Sequence, residues 1–292
     1  MAASELGKRV ASALVLAPVA VACVWFGDAA LAALLACAAA AGAWEFYRLA
    51  ATGGVRPFAR AGIVVSGLLP IVVHAQARGV LQRPVVLTAL VALVPLALLG
   101  AAVWRRGVDG RPLLAVATTV LGVGYVAVPL AYAYALRTFD YAVGRAAGTA
   151  VLMLPVLGTW ASDVGAYFAG RAIGGPKLIP AVSPGKTVAG AVGGLALTAL
   201  VVVAYERFVL IPNAQLAFGP GRALLFGVAV SVAAQLGDLV ESLLKRDAGV
   251  KDSSTLIPGH GGVLDRVDSL LFVLPVSYLL LGALLIPALG VR

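Results

Sequence analysis

Charge is what this 292-residue chain has least of. Only 12% of its residues are Asp, Glu, Lys or Arg, 61% are apolar, and mean hydropathy is +1.00. A soluble domain carries about 25% charged and about 45–50% apolar residues, so most of this chain is excluded from a water-facing surface. Cysteine is nearly absent: Cys23 and Cys37 both lie in apolar runs, which excludes a disulfide framework and a thiolate metal site. Histidine is equally scarce. Two residues, His74 and His260, cannot make a histidine-rich metal centre. There is no clear internal repeat, no low-complexity tail, and no polar stretch longer than about thirty residues. The net charge of +9 raises the question of nucleic acid. However, the basic residues stand in short loops between apolar runs, so membrane topology explains them and no nucleic-acid partner is expected.

What the chain does have is apolar runs long enough to span a bilayer. The first, after Lys8 and Arg9, contains Ala20-Val21-Ala22 followed by Cys23, which imitates a signal-peptide cleavage site. Apolar sequence continues to Phe26 and a second run opens at Ala29, so a retained first span is expected. A helix crosses a hydrocarbon core of about 30 Å with about 20 residues. Nine candidate spans follow: 10–26, 29–46, 61–76, 84–103, 112–136, 148–168, 188–204, 222–240 and 267–287. The run 112–136 holds Gly122, Gly124 and Pro129 and is either one kinked helix or two pieces. The expected fold is all-α and polytopic, with an N-terminal transmembrane region over 1–140 and a catalytic transmembrane region over 141–292.

With nine spans, alternate loops share a side. One set carries fifteen cations: Lys8, Arg9, Arg48, Arg56, Arg60, Arg105, Arg106, Arg111, Arg171, Lys177, Lys186, Lys245, Arg246, Lys251 and Arg266. The other carries seven: Arg78, Arg83, Arg137, Arg145, Arg207, Arg222 and Arg292. The excess places the first set, and the N-terminus, in the cytoplasm. The polar loops 169–187 and 241–266 then share the cytoplasmic side and are expected to form one site.

Six of the thirteen acidic residues fall between 238 and 268: Asp238, Glu241, Asp247, Asp252, Asp265 and Asp268. Asp238, Glu241, Ser242 and Lys245 have the i, i+3, i+4, i+7 spacing of one helical face. Residues 253–262 are rich in Ser, Pro and Gly and must be irregular. Asp265 and Asp268 then open the last span. Two carboxylate-bearing helix ends joined by a polar loop can close on a hard divalent cation such as Mg²⁺, which takes carboxylates together with substrate phosphates. Lys245, Arg246, Lys251 and Arg266 supply the positive charge that a polyphosphate needs, and Gly261-Gly262 lets backbone approach closely. His260 either orders the loop or contacts a phosphate and moves a proton. Asp268 either orients Arg266 or joins the metal shell. The mixture fits phosphoryl or nucleotidyl transfer.

The other loop adds Asp163, an ionisable residue at the end of a span and therefore a functional candidate. Ser183-Pro184-Gly185-Lys186-Thr187 suggests a P-loop but fails the pattern, because Pro180 stands where its first glycine is required. A basic, hydroxyl-bearing turn at a helix N-terminus remains, with Lys186 and Thr187 as candidate phosphate contacts.

The run Ser242, Lys245-Arg246, Lys251-Asp252, His260-Gly261-Gly262, Asp265-Arg266-Val267-Asp268 resembles the signature of the phosphatidate cytidylyltransferase (CDP-diacylglycerol synthase) family at every spacing. Gly237-Asp238-Leu239 with Glu241, Ser183-Pro184 with Lys186-Thr187, and Trp44-Glu45-Phe46-Tyr47 resemble other segments of that family. One departure is Ala189, where the family usually has Glu. The resemblance implies that CTP and phosphatidic acid give CDP-diacylglycerol and pyrophosphate at the inner, cytoplasm-facing side of the cell membrane, in phospholipid biosynthesis. It implies Mg²⁺ on the Asp238 and Asp265 equivalents, K⁺ as a second cation, and a homodimer. Metal ligands are expected among Asp163, Asp238, Glu241, Asp265 and Asp268. Catalytic roles are expected for Asp238, Lys245, His260, Asp265 and Arg266. Substrate contacts are expected from Ser183, Lys186, Thr187, Ser242, Arg246, Lys251, Asp252, Gly261 and Gly262. The rival readings are a related CTP-using membrane enzyme, such as a polyprenol kinase or a synthase for another lipid phosphate, and an ion-coupled transporter. A transporter places its ionisable groups near the midplane in paired repeats, whereas here they gather at span ends.

Overall fold

The computed structural model describes residues 2–81, 85–139, 143–284 and 286–287. Helix dominates it: α1 (Ala2–Phe26), α2 (Asp28–Thr52), α3 (Ala59–Ala77), α4 (Val85–Arg105), α5 (Pro112–Gly122), α6 (Val128–Arg137) and α7 (Gly144–Ile173) come first. A short antiparallel hairpin follows, β1 (Lys177–Ile179) with β2 (Ser183–Thr187), and then α8 (Val188–Tyr205) and α9 (Ile211–Ala214). The chain ends with β3 (Leu216–Ala217), α10 (Pro220–Asp247), α11 (Leu264–Leu284) and β4 (Ile286–Pro287), where β4 pairs with β3.

Among the described residues, eight helical runs are long and apolar enough to cross a membrane, and Ala89–Arg105 of α4 is a shorter apolar helix. The chain is thus a helical, polytopic membrane protein. Position 84 of one candidate span, position 285 of another, and the loop cations Arg83 and Arg292 lie outside the described residues. The ambiguous run resolves as one continuous helix, Pro112–Arg137, with a π-helical stretch at Val123–Ala127. A second π stretch, Glu206–Leu210, joins α8 to α9. Each ends two residues before a proline, Pro129 or Pro212. A proline cannot donate to the carbonyl four residues back, and the widened turn accommodates that loss without breaking the helix.

The chain forms two compact units. Unit 1 comprises residues 1–134 and 244–266, and unit 2 comprises 135–243 and 267–292. Unit 1 is centred on Tyr47, fully buried on α2, whose hydroxyl donates to Thr119 O at 2.8 Å. Gly62 on α3 and Gly122 on α5 leave space for its ring. A Cβ would stand 2.1 Å from the Tyr47 hydroxyl at Gly62 and 2.4 Å from Tyr47 Cε1 at Gly122. Unit 2 is held by close helix approach. On α8, a Cβ at Gly193 would stand 2.2 Å from Ala169 Cβ and 2.9 Å from Gly165 O of α7. A Cβ at Gly237 of α10 would stand 2.6 Å from Asp268 O of α11. Small residues let apolar helices touch backbone to backbone, which is how helices associate where no hydrophobic driving force acts between them.

Gly193→Ala ordinarily gains about 1 kcal/mol of helix propensity. Here the methyl has no room, so we expect a net destabilisation of about 1–3 kcal/mol. The same change at Gly100 of α4, where no atom lies within 4 Å of the added Cβ, should be neutral or stabilising. Thermal unfolding of the two variants in detergent checks this, and equal midpoints would refute the packing account.

Candidate active site

Unit 2 builds a cavity of about 610 Å³ between α7, the β1–β2 hairpin, α8 and α10, within the usual range for small-molecule sites. Asp163 of α7, Lys186 of β2 and Asp238 of α10 all line it. Lys186 Nζ stands 2.6 Å from Asp238 Oδ2, with both side chains partly exposed. Ser242, one turn on from Asp238, donates to Asp238 Oδ1 at 3.3 Å, as the i, i+4 spacing expects. Gln235, one turn before Asp238, also lines the cavity and donates to Ala191 O and Ser231 Oγ. The β1–β2 hairpin fixes Lys186, because Thr187 ends the strand and starts α8. Its Oγ1 accepts from Gly190 N at 3.0 Å and caps the helix. Thr187 is therefore buried as a cap on the wall of the cavity. Ser183 opens β2, and Ala189 lies in the first turn of α8.

Unit 1 holds the other acid–base pair. Lys245 Nζ lies 2.8 Å from Asp265 Oδ1, and the two side chains are only 13% and 7% exposed. Asp265 Oδ2 accepts from Ser253 N at 3.0 Å and Gly262 N at 2.8 Å, with Ser253 Oγ at 2.8 Å. A pair this enclosed is favourable only when its remaining lone pairs are satisfied, and here they are.

Beneath it lies Glu45, which is not among the site residues expected from the sequence. Glu45 is fully buried on α2. Its Oε1 accepts from Ser254 Oγ at 2.5 Å and Val263 N at 2.9 Å, and its Oε2 accepts from Leu264 N at 2.6 Å. Ser253 Oγ is also 3.1 Å from Oε2. Val263 immediately precedes α11 and Leu264 opens it, where the leading N–H groups have no partner inside the helix. Glu45 thus caps α11 from another helix, with its charge at the favourable end of the dipole. Gly262 is required for this contact, since a Cβ would stand 2.0 Å from Ser253 Oγ and 2.6 Å from Glu45 Oε1. Gly261 has φ +80°, and its Cβ would meet Asp265 Oδ2 at 2.9 Å. The paired glycines make room for carboxylates.

Of the other selected residues, Lys251, Asp252, His260, Gly261 and Arg266 line one cavity of about 640 Å³ in unit 1. Arg266 Nε donates to His260 O at 3.0 Å. Arg246 is exposed at the end of α10. In unit 2, Glu241 is buried one turn beyond Asp238, and Asp268 accepts from Ser269 N. The selected acids therefore divide: Asp163 and Asp238 share one cavity, and Asp265 is bound into the loop of unit 1. Among the described residues, no three His, Cys, Asp or Glu side chains gather in a metal-holding group. Asp163 and Asp238 supply two carboxylates, the donor set that Mg²⁺ uses when substrate phosphates complete its shell. A signal for Glu45 was present in the sequence as an acid inside an apolar run.

The profile of the cytidylyltransferase family matches residues 7–284. A phosphatidate cytidylyltransferase of Brucella suis biovar 1 (strain 1330) is 33% identical over 279 residues, covering 94% of this chain and 93% of the relative. A phosphatidate cytidylyltransferase of Bacillus subtilis (strain 168) is 46% identical over 123 residues, 42% of this chain and 44% of the relative. One of Staphylococcus epidermidis (strain ATCC 12228) is 40% identical over 162 residues, 56% of this chain and 57% of the relative.

Glu45→Gln keeps the size of the side chain but turns an amide N–H₂ toward backbone donors. We expect a loss on the order of 3 kcal/mol, from orphaned buried donors, and faster hydrogen exchange at Val263 and Leu264. Unchanged exchange at those two amides would remove Glu45 as the anchor.

Proposed function

This chain belongs to the cytidylyltransferase family, and from that premise we propose that it transfers the cytidylyl group of CTP to phosphatidic acid. The products are CDP-diacylglycerol and pyrophosphate. The observation that carries this reading is the full-length match to relatives of that name, together with two Lys–Asp pairs on the segments that bear the family's motifs.

A phosphatidate oxygen attacks the α-phosphorus of CTP. One P–O bond forms there, the bond from the α-phosphorus to the oxygen bridging to the β-phosphate breaks, and pyrophosphate leaves. The nucleophile is largely ionised near neutral pH, because the second pKa of a phosphate monoester is about 6. No strong general base is needed, and the chief barrier is bringing two polyanions together. Lys186 exchanges its carboxylate partner for a phosphate oxygen. Lys251, Arg246 and Arg266 offset the charge of the CTP phosphates. Lys245, held by Asp265, fixes the loop that carries Lys251 between Arg246 of α10 and Arg266 of α11. Asp163 and Asp238 would hold Mg²⁺, with K⁺ as a second cation on the family resemblance, and the metal would neutralise phosphate charge. Glu241 and Asp268 are the remaining candidates for that shell. The lipid tails stay in the bilayer.

We also propose a cytoplasmic N-terminus, nine spans with α4 as the fourth, an active site facing the cytoplasm of the cell membrane, and a homodimer. The fifteen-to-seven division of loop cations supports the orientation.

Purified protein given phosphatidic acid, Mg²⁺ and CTP labelled in the cytidine base should place the label in lipid and release pyrophosphate. Label entering lipid only from the γ-phosphate would instead show a kinase. Asp163→Asn and Asp238→Asn should each lower the rate by about 10²-fold or more with unchanged melting, and near-wild-type rates at limiting Mg²⁺ would remove the metal assignment. Orientation is tested with Asp109→Cys in a Cys23→Ser, Cys37→Ser background. A membrane-impermeant maleimide should label it only after permeabilisation, and labelling of intact cells would invert the topology.

A further inference from the structure

Most of α1 buries nothing. None of the residues in its apolar window Arg9–Phe26 is buried in the protein. Its first turns nevertheless make three specific contacts with the loop of unit 1. Gly259, at φ +74°, lies so close to α1 that a Cβ would stand 2.8 Å from Arg9 Cγ and 3.1 Å from Arg9 N. Ser12 Oγ is 3.1 Å from Pro258 O. The same oxygen is 2.8 Å from His260 Nδ1. A helix with so little packing is thus seated by polar contacts against the turn that precedes the paired glycines.

That seating brings Arg9 to the wall of the 640 Å³ cavity. Three cations from three separate segments then face the cavity, Arg9 of α1, Lys251 of the loop and Arg266 of α11, with one carboxylate, Asp252. Ser254, Thr255 and His260 add polar groups to the lining. This lining suits a highly charged, water-borne anion better than the headgroup of a lipid whose chains remain in the bilayer. A triphosphate carries more charge than the monoester phosphate of phosphatidic acid.

The Ser12 hydroxyl has one proton. The carbonyls of Arg9 and Pro258, both 3.1 Å away, can only accept it. A hydroxyl that donates to either receives Nδ1–H from His260 and leaves Nε2 as an acceptor.

Resting on the cytidylyl-transfer reading, we propose that Arg9 contacts the triphosphate of CTP, and that Ser12 is a positioning residue that sets the His260 ring on the same cavity. The first helix is then part of the nucleotide site as well as a membrane span.

The test uses the full-length protein. Arg9→Gln should raise the KM for CTP about tenfold or more, the loss expected for one charge-assisted contact. It should leave the KM for phosphatidic acid and the melting temperature unchanged. Arg9→Lys should recover part of the loss, since it keeps the charge but not the planar fork. Arg56→Gln, which removes a cation elsewhere, should change neither KM. Without metal, inorganic tripolyphosphate should bind the wild type and bind Arg9→Gln more weakly by calorimetry. Ser12→Ala should alter the ¹⁵N tautomer signature of His260. An active wild type with an unchanged CTP KM in Arg9→Gln overturns the proposal. So does a rise confined to the phosphatidic acid KM, or a lower melting temperature with unchanged tripolyphosphate affinity. An unaltered His260 signature overturns the Ser12 role. If the wild type makes no CDP-diacylglycerol, the reaction reading fails by itself, and tripolyphosphate binding still decides the role of Arg9.

Discussion

The polar loop of unit 1 depends on one buried carboxylate. Glu45 takes hydrogen bonds from Ser254 and from the backbone N–H groups of Val263 and Leu264 at the start of α11, and it shares Ser253 with Asp265. Without it, the start of α11 and the turn before it would both be short of partners in a place where water cannot replace them. With it, Asp265 is fixed, and through Asp265 so is Lys245. Gly262 follows from the same contact, because any side chain there would occupy the space of the carboxylate.

A second regularity is that both units pair a lysine with an aspartate on family motifs, Lys186 with Asp238 and Lys245 with Asp265. The two pairs differ in enclosure, and the difference separates their chemistry. The Lys186–Asp238 pair is partly exposed on a cavity wall, so a phosphate or a cation can enter and exchange with either partner. The Lys245–Asp265 pair is almost sealed and its second carboxylate oxygen is fully used, so it holds its loop in one shape.

The sequence shows the helices and the chemical class well, because both are written in local patterns. Uninterrupted apolar runs declare spans, and the cluster Asp238 to Asp268 declares phosphate chemistry even before any resemblance is considered. The helical spacing of Asp238 and Ser242 survives as a hydrogen bond. What local pattern cannot show is pairing across distance. Glu45 meets its partners over 208 to 219 residues, and nothing near it in the chain indicates which donors it will find. The charge pattern assigns Lys186 and Asp238 only to one side of the membrane, and it is the hairpin and α10 that bring them to one cavity. The π turn before Pro129 is equally hidden, because a proline in a span reads as a kink or a break and the widened turn is a third solution.

The reach of Glu45 also imposes an order on biogenesis. It enters with the second apolar run, while its donors at 253–264 emerge from the ribosome more than two hundred residues later. At about 5–20 residues per second, that delay is on the order of ten to forty seconds. During that time α2 carries an acid whose final partners do not yet exist. The last apolar run therefore does more than finish the chain, since its arrival gives that acid a home and sets the loop around it. A nascent chain stopped short of residue 264 would hold most of its spans and still lack the loop that Glu45 orders.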